Sequence, residues 1–171
     1  MFNIATVPKS ARQALSQDGL SLLNPAELTA TLELGNAWVP AWNALVPSWD
    51  RLPPDAHLKD GGHYRKRRHS CFVQELATGT LTQTPHRAHW QPTDYNALHG
   101  GFERWFEPVE PAVATAQAWT DLIANLGKLF AQVQPAGRWH IEAHQFRSTR
   151  RAAWAGPHPK ARTATVWILW W

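Results

Sequence analysis

The chain has 171 residues, 44% of them hydrophobic and 18% charged, which suits one domain with a sizeable core and argues against wholesale disorder. Its formal charge is +4 and its isoelectric point about 9.6, but Arg150, Arg151, Lys160 and Arg162 carry the whole excess. Residues 1–147 balance 13 basic against 13 acidic side chains, so no nucleic-acid partner is expected, because a basic groove needs its cations spread over a folded face.

The first 50 residues read as helical with one apolar side. Asn24-Pro25-Ala26-Glu27 is a helix start, with Asn24 as cap, Pro25 in the first turn and Glu27 reaching back. Leu28, Leu32 and Leu34 form the buried side of that helix, which should end near Gly35. Trp38, Trp42, Leu45 and Trp49 follow at near-helical spacing and are read as core. Leu52 to Arg68 is loop-rich, with a turn at Asp60-Gly61-Gly62, and closes on Arg65, Lys66, Arg67 and Arg68. If that segment is extended, Arg65 and Arg67 share one face. Guanidinium pairs bidentately with carboxylate, so such a face suits a carboxylate-bearing ligand, although a solvated charge run is the plainer reading.

Ser70–Leu76 and Leu81–Thr84 predict a hairpin turning at Ala77-Thr78-Gly79-Thr80. Val113 to Val133 predicts one long amphipathic helix, with Val113, Ala116, Trp119, Leu122, Ile123, Leu126, Leu129, Phe130 and Val133 on its apolar face. Pro135-Ala136-Gly137 ends it, and Trp139 to Phe146 follows as a strand. Its one face carries His140, Glu142 and His144, which as residue types make up the ligand set of a non-haem iron site. Nine histidines make such groupings easy by chance, and three successive same-face residues seldom converge on one ion. Satisfied polar side chains are the favoured reading, and no metal is expected there. Cys71, the only cysteine, excludes an internal disulfide, fits a reducing compartment and reads as a buried structural thiol. No secretory h-region opens the chain and no apolar run approaches a membrane span, so a cytoplasmic protein without a membrane partner is expected. Phosphate-cradling, dinucleotide, CxxC and GxSxG motifs are absent from the sequence.

DGGHYRKRRHSCF, QPTDYNALHGGFERWFEPV and WHIEAHQFR, in that order between Leu52 and Arg147, resemble the bacterial 2-oxoglutarate/Fe(II)-dependent dioxygenase family, which includes amino-acid hydroxylases such as L-isoleucine dioxygenase. The resemblance implies an α+β fold: a partial double-stranded β-helix (jelly roll, cupin-like) with N-terminal helices and one long amphipathic helix packed outside. It implies Fe(II) held by an H-x-D pair and a distal His, 2-oxoglutarate held by a basic residue near that His, and a small-molecule substrate such as a free amino acid. On the matching segments it points to Arg65, Arg67, Tyr95, Asn96, Arg104, His144 and Arg147 as substrate contacts.

After Arg147 the family continues with a segment like P-T-P-E-G-x-H-x-D-G-x-D, whereas this chain reads GPHPKARTATVW. Residues 148–171 hold four basic residues, no acidic ones and four of the eleven tryptophans. Read one frame over, Arg162/Thr163 permits His, Ala164/Thr165 permits Asp, and Trp167/Ile168 forces Asp. The shifted frame can spell T-P-E-G-x-H-R-D-G-V-D-x-V-V. The sequence therefore predicts a dioxygenase-like part, 1–147, and an out-of-frame tail, 148–171. On this reading the chain lacks the H-x-D and the distal His, binds neither Fe(II) nor 2-oxoglutarate, and does not turn over. Unpaired strand edges and the Trp-rich tail predict self-association. The alternative is a non-catalytic interaction module that uses its tryptophans and basic cluster.

Overall fold

The computed structural model describes residues 9–58, 64–94, 100–148 and 163–170, the last group as backbone only. The elements run α1 (Ala11–Asp18), α2 (Pro25–Thr31), α3 (Trp38–Leu45), a 3-10 helix (Val46–Arg51), β1 (Arg65–Glu75), β2 (Thr80–Gln83), α4 (Pro111–Ala114), α5 (Gln117–Ala131), β3 (Arg138–Ser148) and β4 (Thr163–Trp170). The strands form one antiparallel sheet in the order β2-β1-β3-β4. Helices packed on an antiparallel sheet make this an α+β protein. The expected turn at Asp60-Gly61-Gly62 lies outside the described residues, as do 149–162 of the tail.

Helix α2 starts as its sequence dictates. The Asn24 side chain accepts from the backbone N–H of Ala26 (2.9 Å) and Glu27 (3.0 Å), while the Glu27 carboxylate accepts from Asn24 N (2.8 Å). None of the α2 residues is fully buried, so the cap supplies much of what fixes this helix. Asn24→Ala is expected to cost about 1 kcal/mol, read as a lower urea midpoint at unchanged slope. An unchanged midpoint would mean that packing alone holds α2.

The single helix expected over Val113–Val133 is two. Thr115 interrupts it: its hydroxyl donates to Pro111 O (2.8 Å), and Ala116 is extended (φ −67°, ψ 135°) before α5 begins. A local side-chain bond to the backbone competes with helix continuation, which the apolar periodicity alone does not reveal. The basic cluster, expected at the end of a loop, forms the first rungs of β1. Its hairpin to β2 turns at Gly79, whose φ of 71° suits glycine.

Alternation along β1 and β3 separates two faces. Phe72, Trp139, Ile141 and Ala143 face the helices and join Trp49, Leu52, Trp119 and Ile123 in the main core. On the far side of α5, Ala118, Leu122 and Leu129 close a second cluster with Trp38, Leu32 and Ala11. The other face of the β1–β3 pair is polar but just as buried, and it holds the site.

Candidate functional site

Register builds this face. His69 lies opposite His144, Cys71 opposite Glu142, and Arg67 opposite Phe146. The connection after β2 folds over them. His89 and Arg104 pair as an isolated bridge, His89 N donating to Arg104 O (2.9 Å) and Arg104 N to His89 O (3.0 Å). Gly101 closes that loop by donating from its N to Gln91 O (2.8 Å). It sits at φ 81°, and a β-carbon there would lie 2.9 Å from Thr93 Cγ2, so the turn requires glycine.

His69, His89, Glu142 and His144 are all buried, and one ligand atom from each lies within 4.8 Å of the others. His89 Nδ1 donates to Glu142 Oε2 at 2.5 Å, while His69 Nε2 stands 3.8 Å from Glu142 Oε1 and His144 Nε2 stands 3.8 Å from Glu142 Oε2. The rings of His69 and His144 stack at 4.5 Å, and His89 meets His144 edge-on at 4.7 Å. Burial pushes His69 down to about 3 and holds His144 well below the ordinary imidazole range, so both rings are neutral near pH 7. Burial likewise pushes Cys71 up to about 11. Its thiol, 3.4 Å from His69 Nε2, stays protonated and is no nucleophile.

Guanidinium groups lie next to this cluster. Asp55 Oδ2 accepts from Arg65 Nε (2.6 Å) and lies 3.7 Å from Arg67 Nη1. Arg67 Nη2 donates to His144 Nδ1 (2.6 Å), and its plane covers Phe106 at 3.8 Å and Phe146 at 4.5 Å. Arg104 Nη2 donates to Gln91 Oε1 (2.7 Å). Burial, then the neighbouring Arg65 charge, lowers Arg67 to about 9 and shifts Arg104 in the same direction; Arg67 is still a cation at neutral pH. Arg65 Nη2, Arg67 Nε and Arg104 Nε are buried with no acceptor among the described residues. A cleft of about 260 Å³ is lined by Ala56, His57, Leu58 and Phe102.

Residues 46–160 match the family described as 2OG-Fe dioxygenase. The chain belongs to that family. Among solved structures, a bsmA homologue from Methylobium petroleophilum PM1 is 47% identical over 84% of this chain and 58% of its own, with a TM-score of 0.75. IDO from Bacillus thuringiensis (11% identity, 81% of this chain, 54% of its own, TM-score 0.57) and the Fe(II)/α-ketoglutarate-dependent dioxygenase TqaL (16%, 81%, 48%, 0.53) share the fold alone. The dioxygenase-family chain thus spans about half to three fifths of the length of these structures. No curated protein sequence matches it.

The family implies Fe(II) and 2-oxoglutarate. Imidazole and carboxylate donors suit a borderline divalent ion, and Glu142 Oε1, buried without a hydrogen-bond partner among the described residues, is a free donor for one. The expectation that this chain binds no metal is therefore unsupported by its own side chains. Of the three residues on that strand face, which the sequence reading took as satisfied polar side chains, two belong to the cluster. His140 shares the face of Glu142 and His144 but is exposed at its outer end, and His69 and His89 complete the cluster instead.

Four of the residues expected to touch substrate, Arg65, Arg67, Arg104 and His144, come together here. Arg147 does not. It lies on the helix-packed face, where its Nη1 donates to Asp50 Oδ1 (2.6 Å) and to Trp49 O (3.5 Å). Tyr95 and Asn96 fall outside the described residues. Alternation from Arg65 through Arg67 leads directly to His69, so that residue was readable; Asp55 and His89, on loops, carried no periodic signal. Among the described residues no helix is long and apolar enough to cross a membrane.

Proposed function

We propose that the protein to which this chain belongs is a 2-oxoglutarate/Fe(II)-dependent dioxygenase that hydroxylates a small carboxylate-bearing substrate such as a free amino acid, and that Arg65, Arg67 and Arg104 recognise the carboxylate. The observation that carries this is the buried charge count. Three guanidiniums face two carboxylates, Asp55 and Glu142, and each guanidinium has a buried N–H without an acceptor among the described residues. Unpaired buried cations are costly, and a carboxylate bound within reach of these three guanidiniums would satisfy both the charge and the donors. Iron, when bound, supplies oxygen activation coupled to oxidative decarboxylation of 2-oxoglutarate. The side chains orient the substrate and keep water out: Phe106 and Phe146 fix the Arg67 plane, and Asp55 fixes Arg65. The resemblance supplies the amino-acid assignment.

Calorimetric titration of free L-amino acids against their amides tests this. Free acids should bind and amides should not, and Arg104→Met should weaken the acids about tenfold, the loss of one charge-assisted pair. Equal binding of acid and amide, or of wild type and variant, would overturn the assignment. The absence of H-x-D from this sequence, together with the coding pattern after Arg147, supports the reading of 148–171 as out of frame and of this chain as without turnover. Sequencing the gene across that junction decides it; codons that do not spell the family segment in the shifted frame would sink it.

A further inference from the structure

We propose that His69, His89 and Glu142 form a divalent transition-metal site of this chain's own, separate from the H-x-D pair that the sequence lacks, and that His144 is a positioning residue and not a ligand. The hydrogen bond from Arg67 decides which donors are available. A guanidinium only donates, so the 2.6 Å contact from Arg67 Nη2 leaves His144 Nδ1 unprotonated. The single proton of the neutral ring then sits on Nε2, the atom that faces Glu142 Oε2 at 3.8 Å. A protonated nitrogen has no lone pair for a metal. Freeing it means breaking a buried hydrogen bond to a charge, so His144 acts on the site through its ring, which stacks on His69 at 4.5 Å and holds that imidazole in place.

The remaining three donors come from three separate backbone segments: β1, the bridge that holds His89, and β3. Two imidazoles and one carboxylate are thereby brought within 4.8 Å of one another, a donor set that suits a divalent transition metal. Glu142 Oε1 is buried and unpaired among the described residues and faces His69 Nε2 at 3.8 Å. Donors to one ion at about 2.1 Å lie no more than about 4.2 Å apart, so that pair already fits. His89 Nδ1 and Glu142 Oε2, at 2.5 Å, open slightly as the ion takes the place of the proton between them, the ring proton moving to His89 Nε2. The site does not rest on the carboxylate reading of the arginines. The neighbouring guanidiniums oppose a dication, however, so an anion bound beside them should tighten the metal by linkage.

The test is titration of the full chain with Zn²⁺ and Co²⁺, with and without 2-oxoglutarate, together with pulsed EPR of the Cu²⁺ form to count coordinated imidazoles. One ion per chain is expected, bound more tightly with 2-oxoglutarate, with two imidazoles coupled to Cu²⁺. Glu142→Gln and His89→Gln should abolish stoichiometric binding, whereas His144→Gln should weaken it while leaving the imidazole count unchanged. Absence of a stoichiometric ion in both conditions overturns the proposal, as do three coupled imidazoles or a count that falls in His144→Gln. The wild-type spectrum decides even where a variant fails to fold, and amino-acid binding measured without metal fails or succeeds independently.

Discussion

Asp55→Ala is expected to cost about 3–5 kcal/mol of folding stability, the range for removing one partner of a buried ion pair. The Asp55 side chain is wholly enclosed, and that of Arg67 is 4% exposed. One carboxylate serves three donors: Oδ2 takes Arg65 Nε at 2.6 Å and faces Arg67 Nη1 at 3.7 Å, while Oδ1 accepts from His57 N at 2.9 Å. Its loss strands a buried guanidinium that already lacks an acceptor at Nε among the described residues. Urea unfolding of wild type, Asp55→Asn and Asp55→Ala separates the components, because the amide keeps an acceptor for His57 N but not the charge. The double variant Asp55→Ala/Arg67→Met should recover part of the loss, since it removes the stranded cation as well. The exposed pair Arg138–Glu75, at 59% and 37%, is the control: Arg138→Ala should cost less than about 1 kcal/mol despite its short contact. Equal losses at Asp55 and Arg138 would show that the buried network contributes nothing beyond surface pairing.

How much of this was legible beforehand depends on whether a signal was local. The α2 cap, the tryptophan ladder on α3, the β1–β2 hairpin and the strand at Trp139 all follow from spacing or turn chemistry within a dozen residues, and all are present. The break at Thr115 needed the contest between a side-chain bond and the helix ladder, which periodicity does not register. For the site, alternation placed Arg65 and Arg67 together and put Glu142 and His144 on one face. It could not give the β1–β3 register, and only that register sets His69 against His144 and Cys71 against Glu142. Asp55 and His89 reach the cluster from loops, over sequence separations of 10 and 53 residues to their partners. His140 shows the opposite error: the face was right, but His140 is exposed while Glu142 and His144 on the same face are buried. The family resemblance found the right segments and, in Arg147, a residue that the sheet turns towards the helices.

Trp119→Ala should cost as much as Asp55→Ala, about 3–5 kcal/mol, by an unrelated route. Trp119 is 1% exposed. It stacks on Trp42 at 6.1 Å with planes 3° apart and meets Trp49 at 6.5 Å and 56°, while Trp42 in turn stacks on Trp38 at 5.2 Å. Its Nε1 has no acceptor among the described residues, so truncation removes contacts and apolar burial without breaking a hydrogen bond. The whole cost is transfer plus cavity, and the rigid β1–β3 pair and the 3-10 helix around it leave little room to collapse. Trp119→Phe refills most of that volume and should lose distinctly less; a similar loss would point to the indole N–H and refute the packing account. The two buried networks lie on opposite faces of the sheet. Losses from Asp55→Ala and Trp119→Ala should therefore add, and binding at the polar face should survive Trp119→Ala under conditions where the variant is still folded. Strong non-additivity, or lost binding in folded Trp119→Ala, would mean that the helix-side core sets the geometry of the arginine and histidine cluster through the shared strands.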